Sequence, residues 1–104
     1  MAPERSPIPG ARVITTIVLC RVEPNLIPKA ARALAGMDGV DEVYSVSGEW
    51  DLVAIVRVGE YEEIARVVTE QFPNVPGLQR TQTLTAFRAY SKNDLQQAWD
   101  IGVD

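Results

Sequence analysis

Five consecutive residues, Ser47, Gly48, Glu49, Trp50 and Asp51, combine chemical groups that a simple turn does not require. They stand between two apolar runs of strand-like composition, at residues 40–46 and 52–58. A short hairpin turn needs only a residue such as glycine that accepts a positive φ angle. The additional indole and the two carboxylates make this corner the leading candidate for a binding site.

The groups at the corner suit a zwitterionic small molecule such as an amino acid. Backbone N–H groups around Gly48 are open to a carboxylate because no side chain obstructs them. Glu49 or Asp51 can pair with an ammonium group, and Trp50 can wall an apolar side chain or face a cation. The alternative is structural: Gly48 closes the hairpin, Trp50 fills a dimer interface and Asp51 caps turn amides. The physics of these residues by itself favours the structural alternative.

The composition argues against several classes of function. The chain of 104 residues contains no histidine, which removes the commonest general base, the commonest zinc ligand and every Ser-His or Cys-His pair. We therefore expect no catalytic residues, no metal site and no cofactor. Lys and Arg number 10 against 14 Asp and Glu, so a net charge of -4 disfavours direct nucleic-acid binding. No basic cluster is evident near the corner, which also disfavours phosphate-rich ligands.

The single cysteine, Cys20, lies inside an apolar run and is interpreted as a small buried hydrophobic residue. The longest apolar stretch, residues 13–22, is too short to span a bilayer. The N-terminus lacks the hydrophobic region of a secretory signal. These features predict a cytoplasmic protein with no membrane partner.

Hydrophobic periodicity predicts the element order β-α-β-β-α-β over residues 12–90. Strands are expected at residues 13–22, 40–47 and 52–58, and a last one through residues 81–87. Asn25 is the expected N-cap of the first helix, and Pro73 ends the second. The expected buried stripe of the first helix is Ile27, Ala30, Ala31, Leu34 and Met37, and that of the second is Tyr61, Ile64, Ala65, Val68 and Phe72.

This order predicts an α+β fold of the ferredoxin-like βαββαβ type, a sandwich of four antiparallel strands with two helices on one face. The third strand is nearly continuous in apolar residues, so its other side also needs burial. We therefore expect a homodimer that packs sheet against sheet, a dimeric alpha-beta barrel. Residues 1–11 are expected to form a flexible arm, and residues 91–104 a helical tail in which Trp99 anchors the segment, more readily to its own domain than to a neighbour.

Three segments resemble the effector-binding domain of the Lrp/AsnC (leucine-responsive) regulators. Residues 43–53 are similar to the family signature of a valine, a Thr/Ser-Gly pair, an aromatic residue and an aspartate before aliphatic residues. Residues 75–78, Val-Pro-Gly-Leu, are similar to its aliphatic-Pro-Gly-Val segment, and residues 81–83 to its Thr-x-Thr. The resemblance covers about residues 13–90.

The resemblance implies dimers, often assembled further into rings, with amino-acid effectors bound between dimers near the glycine turn. Family members of full length begin with a helix-turn-helix domain, which the 12 residues before Val13 cannot encode. The resemblance therefore implies a stand-alone effector domain that regulates transcription through a full-length Lrp/AsnC regulator. The expected ligand-binding residues are Ser47, Gly48, Glu49, Trp50, Asp51, Thr81 and Thr83.

Two other functions remain open at this point. Dimeric barrels of this kind also include small oxygenases and isomerases, whose pocket lies between the sheet and the helices. The absence of histidine argues against an enzyme. A purely structural domain that forms rings or filaments is the third possibility.

Overall fold

The computed structural model describes residues 13–92. The expected arm at residues 1–11 lies outside this range, as does the tail from residue 93 onward with Trp99. The elements in chain order are β1 (Ile14–Val22), α1 (Ile27–Ala35), β2 (Val40–Ser45), β3 (Leu52–Val58), α2 (Tyr61–Ala65) and β4 (Leu78–Thr85). The strands form one antiparallel sheet in the order β2-β3-β1-β4. The ferredoxin-like βαββαβ prediction is confirmed.

One face of the sheet builds the core, because alternate residues of each strand point to the same side. On β1 the buried positions are Thr16, Val18, Cys20 and Val22, and on β3 they are Leu52, Ala54 and Val56. Apart from Thr16, these side chains belong to one hydrophobic cluster with Ala30 and Leu34 of α1 and with Val67 and Phe72 of the second helical region. Cys20 is fully buried, which confirms its interpretation as a core residue.

The other face of the sheet remains apolar and partly accessible. Ile17 of β1 and Ile55 of β3 stand directly opposite each other there, and both are half-buried. Tyr44 and Leu84, which the strand register places on the same face, are exposed. We call this side of the sheet the open face. It is the surface for which the sequence predicts contact with a second subunit.

The first helix begins later than predicted. Asn25 lies inside a 3-10 turn, Pro24–Leu26, and α1 begins at Ile27 with Leu26 at the N-cap position and no side-chain cap. Asn25 is therefore not the N-cap of α1. Pro28 in the first turn has no N–H to satisfy, so the helix start requires one hydrogen-bond partner fewer.

The second helix departs from α-helical geometry, and part of its predicted stripe is wrong. α2 continues as a π-helical segment, Arg66–Gln71, and then as a 3-10 turn, Phe72–Asn74. Tyr61 and Ala65 are exposed, while Val67 is buried. A π-helix bonds each residue to the fifth one along, so the buried face no longer repeats every 3.6 residues.

Two strand ends also differ from the predictions. β2 ends at Ser45 rather than at residue 47, although the N–H of Val46 still donates a hydrogen bond to the carbonyl of Asp51. β4 ends at Thr85, short of Phe87, whose side chain is fully exposed. Because β2 ends at Ser45 and β3 begins at Leu52, the turn at the corner is longer than the sequence indicates.

The two helix-to-strand junctions are closely packed. A Cβ atom added to Gly39, before β2, would lie 3.0 Å from Cγ2 of Val67. A Cβ atom added to Gly77, before β4, would lie 2.8 Å from Cβ of Leu26. Each junction is thus filled by a side chain from another part of the fold.

Candidate functional site

The corner connects β2 to β3 at one end of the sheet. Ser47, Gly48 and Glu49 are exposed, whereas Trp50 and Asp51 are partly buried. Gly48 has a φ of 116°, and a Cβ atom built there would have no other atom within 4 Å. The backbone at Gly48 is therefore accessible from solvent in the single chain.

Asp51 fixes the corner to β1. Its Oδ2 accepts a 2.8 Å hydrogen bond from the N–H of Val22, and its own N–H donates a 2.8 Å bond to the carbonyl of Cys20. The same oxygen lies 3.9 Å from Nε of Arg21. The carboxylate thus caps an amide of a neighbouring strand, where the structural alternative expected an amide of the turn itself.

Trp50 extends in the direction of β4. The guanidinium carbon of Arg80 lies over the indole, 5.1 Å from the ring centroid. This distance is within the range of a cation–π interaction. The cation that faces Trp50 is therefore supplied by the chain itself.

The structure adds two arginines that the sequence analysis did not associate with the corner. Arg21 and Arg80 are paired across β1 and β4, and they contact the neighbouring residues Asp51 and Trp50 respectively. The expectation that the corner lacks a basic cluster is wrong. The sequence does place one arginine near the end of β1 and another near the start of β4. Only the register of the two strands shows that these arginines are direct partners.

Thr81 and Thr83 lie on the other face of β4. Their cross-strand partners are Cys20 and Val18, whose side chains are buried on the helix side of the sheet. Thr81 lines a groove of about 310 Å³ together with Phe72 and Leu78. Within one chain, the structure therefore brings Trp50 and Asp51 together with Arg21 and Arg80, and it places the two threonines on the opposite side of the sheet.

Neither a metal site nor a membrane span is found in the described part of the chain. Among residues 13–92 no group of three or more His, Cys, Asp or Glu side chains is arranged to hold a metal ion. In the same range, no helix has the length and apolar character needed to cross a bilayer.

The fold and the corner together define a ferredoxin-like α+β domain with one covered and one open sheet face. Residues 13–95 match the family model of the Lrp/AsnC ligand binding domain. The chain belongs to this family of ligand-binding domains.

Curated relatives are found in archaea. An uncharacterized HTH-type transcriptional regulator of Pyrococcus furiosus is 37% identical over 76 residues, which are 70% of this chain and 51% of that protein. A second such regulator, from Pyrococcus horikoshii, is 36% identical over the same length and with the same coverage. The chain thus spans about half the length of the curated relatives it matches.

Solved structures share the fold of this chain. TTHA0845 from Thermus thermophilus is 46% identical with a TM-score of 0.71. The match covers 76% of this chain and 99% of that one. A feast or famine regulatory protein of M. tuberculosis, complexed with L-methionine, is 22% identical with a TM-score of 0.63; the match covers 76% of this chain and 54% of that one. A transcriptional regulator of Neisseria meningitidis in complex with L-Met has a TM-score of 0.68 at 11% identity, over 75% of this chain and 52% of that one. The last two show the fold alone.

Proposed function

We propose that this domain binds an amino acid or a related small metabolite at sites between subunits, at the corner of residues 47–51. Binding regulates transcription indirectly, through assembly with full-length Lrp/AsnC regulators. The observation that carries the proposal is the accessible Gly48 backbone beside the anchored Asp51, in a chain of the Lrp/AsnC ligand-binding family. The two distant fold neighbours solved with L-methionine are consistent with this ligand class.

Some groups at the corner hold the turn in position, and others remain available to contact a ligand. Asp51 is held by the amide of Val22, and Trp50 is held against Arg80, so both fix the position of the turn. Glu49 and the backbone at Gly48 are exposed and remain available to a ligand. The ligand can approach the backbone at Gly48 closely because no side chain obstructs it, and Glu49 can pair with the ammonium group of the ligand.

The single chain does not enclose a ligand at this corner. Small-molecule sites normally bury most of the ligand surface, which an exposed turn cannot do by itself. The apolar open face supports association of two copies, and further contacts between dimers would cover the turn. The ligand site is therefore proposed to be completed by a second copy of the chain.

Native mass spectrometry of the purified protein with a panel of amino acids tests the proposal. We expect an oligomer that gains the mass of one compound per site, or changes its size with that compound. A correctly folded oligomer that is indifferent to every compound would overturn the sensor function. It would leave the structural module as the remaining interpretation.

A substitution at the corner separates the sensor from the structural module. Gly48→Val narrows access to the turn, so a sensor keeps its oligomer and loses the ligand. Gly36→Val, at a φ of -87° and with Cβ contacts of 3.6 and 3.8 Å, controls for the added valine, and Gly48→Ala controls for backbone strain at the positive φ of residue 48. Loss of the oligomer in Gly48→Val, with Gly36→Val unaffected, would favour a structural role.

The regulatory partner is tested by mixing this protein with full-length Lrp/AsnC regulators from the same genome. Size-exclusion chromatography with mass detection should show a mixed assembly whose amount depends on the amino acid. Separate elution of the two proteins under all conditions would contradict indirect regulation by assembly.

A further inference from the structure

We propose that Arg21 and Arg80 form a binding site for a carboxylate, and that this pair holds the carboxylate of the amino-acid effector. The inference rests on the proposed function, because it names the ligand group that the corner recognises and the residues that recognise it. It adds two residues, on β1 and β4, that do not belong to the turn. Both lie on the open face, at the end of the sheet next to the corner, so the site borders the proposed contact with a second copy of the chain.

The first argument is the position of the two arginines. Arg21 and Arg80 are direct partners in the antiparallel pair of β1 and β4. Side chains at such positions lie on the same face with Cβ atoms about 5 Å apart, and like charges placed this way destabilise the sheet. Negative charge beside the pair, from the chain or from a ligand, reduces this repulsion.

The second argument is that the chain supplies too little negative charge. Asp51 is the only acid that forms a salt bridge with either arginine within residues 13–92, at 3.9 Å from Arg21. Its Oδ2 also accepts the hydrogen bond from Val22. Arg80 packs on the neutral indole of Trp50, which does not cancel its charge. Two cations and one anion leave a net charge of about one positive unit.

The third argument concerns the shape of the site. A guanidinium group recognises a carboxylate through two parallel hydrogen bonds, and a fixed guanidinium loses less entropy on binding. Stacking on Trp50 restricts Arg80, while the ion pair at 3.9 Å attracts Arg21 to Asp51 at the same corner. The single uncompensated charge matches a monoanionic carboxylate better than a doubly charged phosphate. In this proposal the exposed Glu49, next to Trp50 in the chain, pairs with the ammonium group.

The carboxylate has two possible sources, a free amino acid or an acidic side chain of a second copy of the chain. The proposal commits to the free amino acid. Two measurements distinguish these sources. Isothermal titration calorimetry compares the binding of L-methionine with that of L-methioninamide, which lacks the carboxylate charge. Sedimentation analysis of the unmodified protein and of the variants below measures the oligomeric state.

Four variants are compared with the unmodified protein. Arg21→Gln and Arg80→Gln should each weaken L-methionine binding at least tenfold, and Arg80→Lys should restore only part of the affinity. Arg32→Gln, an exposed arginine on α1, is the control for loss of one positive charge and should bind normally. L-methioninamide should bind more weakly than L-methionine and should be insensitive to Arg80→Gln. Unchanged L-methionine affinity in both glutamine variants would overturn the carboxylate site while leaving the proposed function intact.

Two further outcomes are decisive. If Arg80→Gln dissociates the oligomer while the affinity for L-methionine is unchanged, the arginines bind a second copy and the proposal is wrong. If the unmodified protein does not bind L-methionine, the carboxylate site is tested with sodium acetate instead. The titration is observed by NMR at the arginine Nε–H signals. Shifts at Arg21 and Arg80 but not at Arg32 then support the site, and no selective shift refutes it.

Discussion

The carboxylate of Asp51 and the backbone N–H of Val22 form a 2.8 Å hydrogen bond that joins the start of β3 to the end of β1. The amide of Asp51 makes a second connection, to the carbonyl of Cys20. A regular ladder would need only backbone groups here, so the side chain of Asp51 acts as a replacement acceptor at the sheet end.

Replacement of Asp51 should destabilise the fold. Asp51→Ala leaves the N–H of Val22 without its acceptor and should cost about 1–3 kcal/mol of unfolding free energy. Asp51→Asn keeps an acceptor oxygen and should cost less. Glu49→Ala, at an exposed neighbouring position, should change stability by less than about 0.5 kcal/mol. Urea denaturation of the three variants checks this, and equal losses for Asp51→Ala and Glu49→Ala would contradict the structural role of Asp51.

Two glycines with positive φ should respond differently to alanine. Gly48→Ala places a Cβ atom in open space, so it carries only backbone strain of about 1–3 kcal/mol. Gly77→Ala adds an overlap with Leu26, because the new Cβ atom would lie 2.8 Å from that side chain, and overpacking costs about 1–3 kcal/mol more.

Thermal or urea denaturation measures both glycine variants. Introducing Leu26→Gly into the Gly77→Ala protein should remove the overlap with both Cβ and Cδ1 of Leu26, so the two substitutions together should cost less than the sum of their separate effects. Additive effects of the two substitutions would show that the contact with Leu26 does not limit residue 77.

Cys20 should be unreactive in the folded protein. Burial raises the pKa of its thiol to about 11, and the side chain is fully buried. A thiol reagent such as DTNB at pH 8 should react only as the protein unfolds, and at once in denaturant. Rapid reaction of the native protein would contradict the burial of this residue.

The same thiol makes stability depend on pH in the alkaline range. The unfolded chain loses the thiol proton at an ordinary pKa of about 8.5, whereas the folded chain keeps it up to about 11. Unfolding therefore becomes more favourable as pH rises between these values, and below them the thiol has no effect. Denaturation curves of the unmodified protein and Cys20→Ala should converge as pH increases from about 8 to about 10.5, across the interval between the two pKa values. A constant difference would contradict the raised pKa.

We expect two copies of the chain to associate through the open face, so one charged substitution on this face should disrupt the dimer. Ile17→Glu places a carboxylate opposite Ile55 at the middle of this face and should shift the protein to monomers at micromolar concentration. Ala65→Glu makes the same kind of change on the exposed side of α2 and should leave the dimer unchanged. Sedimentation velocity measures both variants, and an intact Ile17→Glu dimer would show that this face is not the interface.

The sequence predicted the strands because their apolar residues alternate over several positions, as β1 and β3 show. On the second helix it predicted the burial of Ile64 and Phe72 but not that of Val67, because the π-helical segment Arg66–Gln71 changes the repeat that places Val67 in the core. It also missed the pair of Arg21 and Arg80. That pair depends on the register of β1 and β4, which shifts between Arg21 and Val22 and is set by tertiary packing.

The packing at the two helix-to-strand junctions links the two halves of the chain, which are β1-α1-β2 and β3-α2-β4. The space at Gly39, in the first half, is bounded by Val67 of the second half, and the space at Gly77, in the second half, is bounded by Leu26 of the first. Neither half can complete its own junction, so a fragment of one βαβ unit is incomplete by itself. Folding should be a single cooperative transition, in which amide protons of β2 and β4 exchange with the same opening free energy.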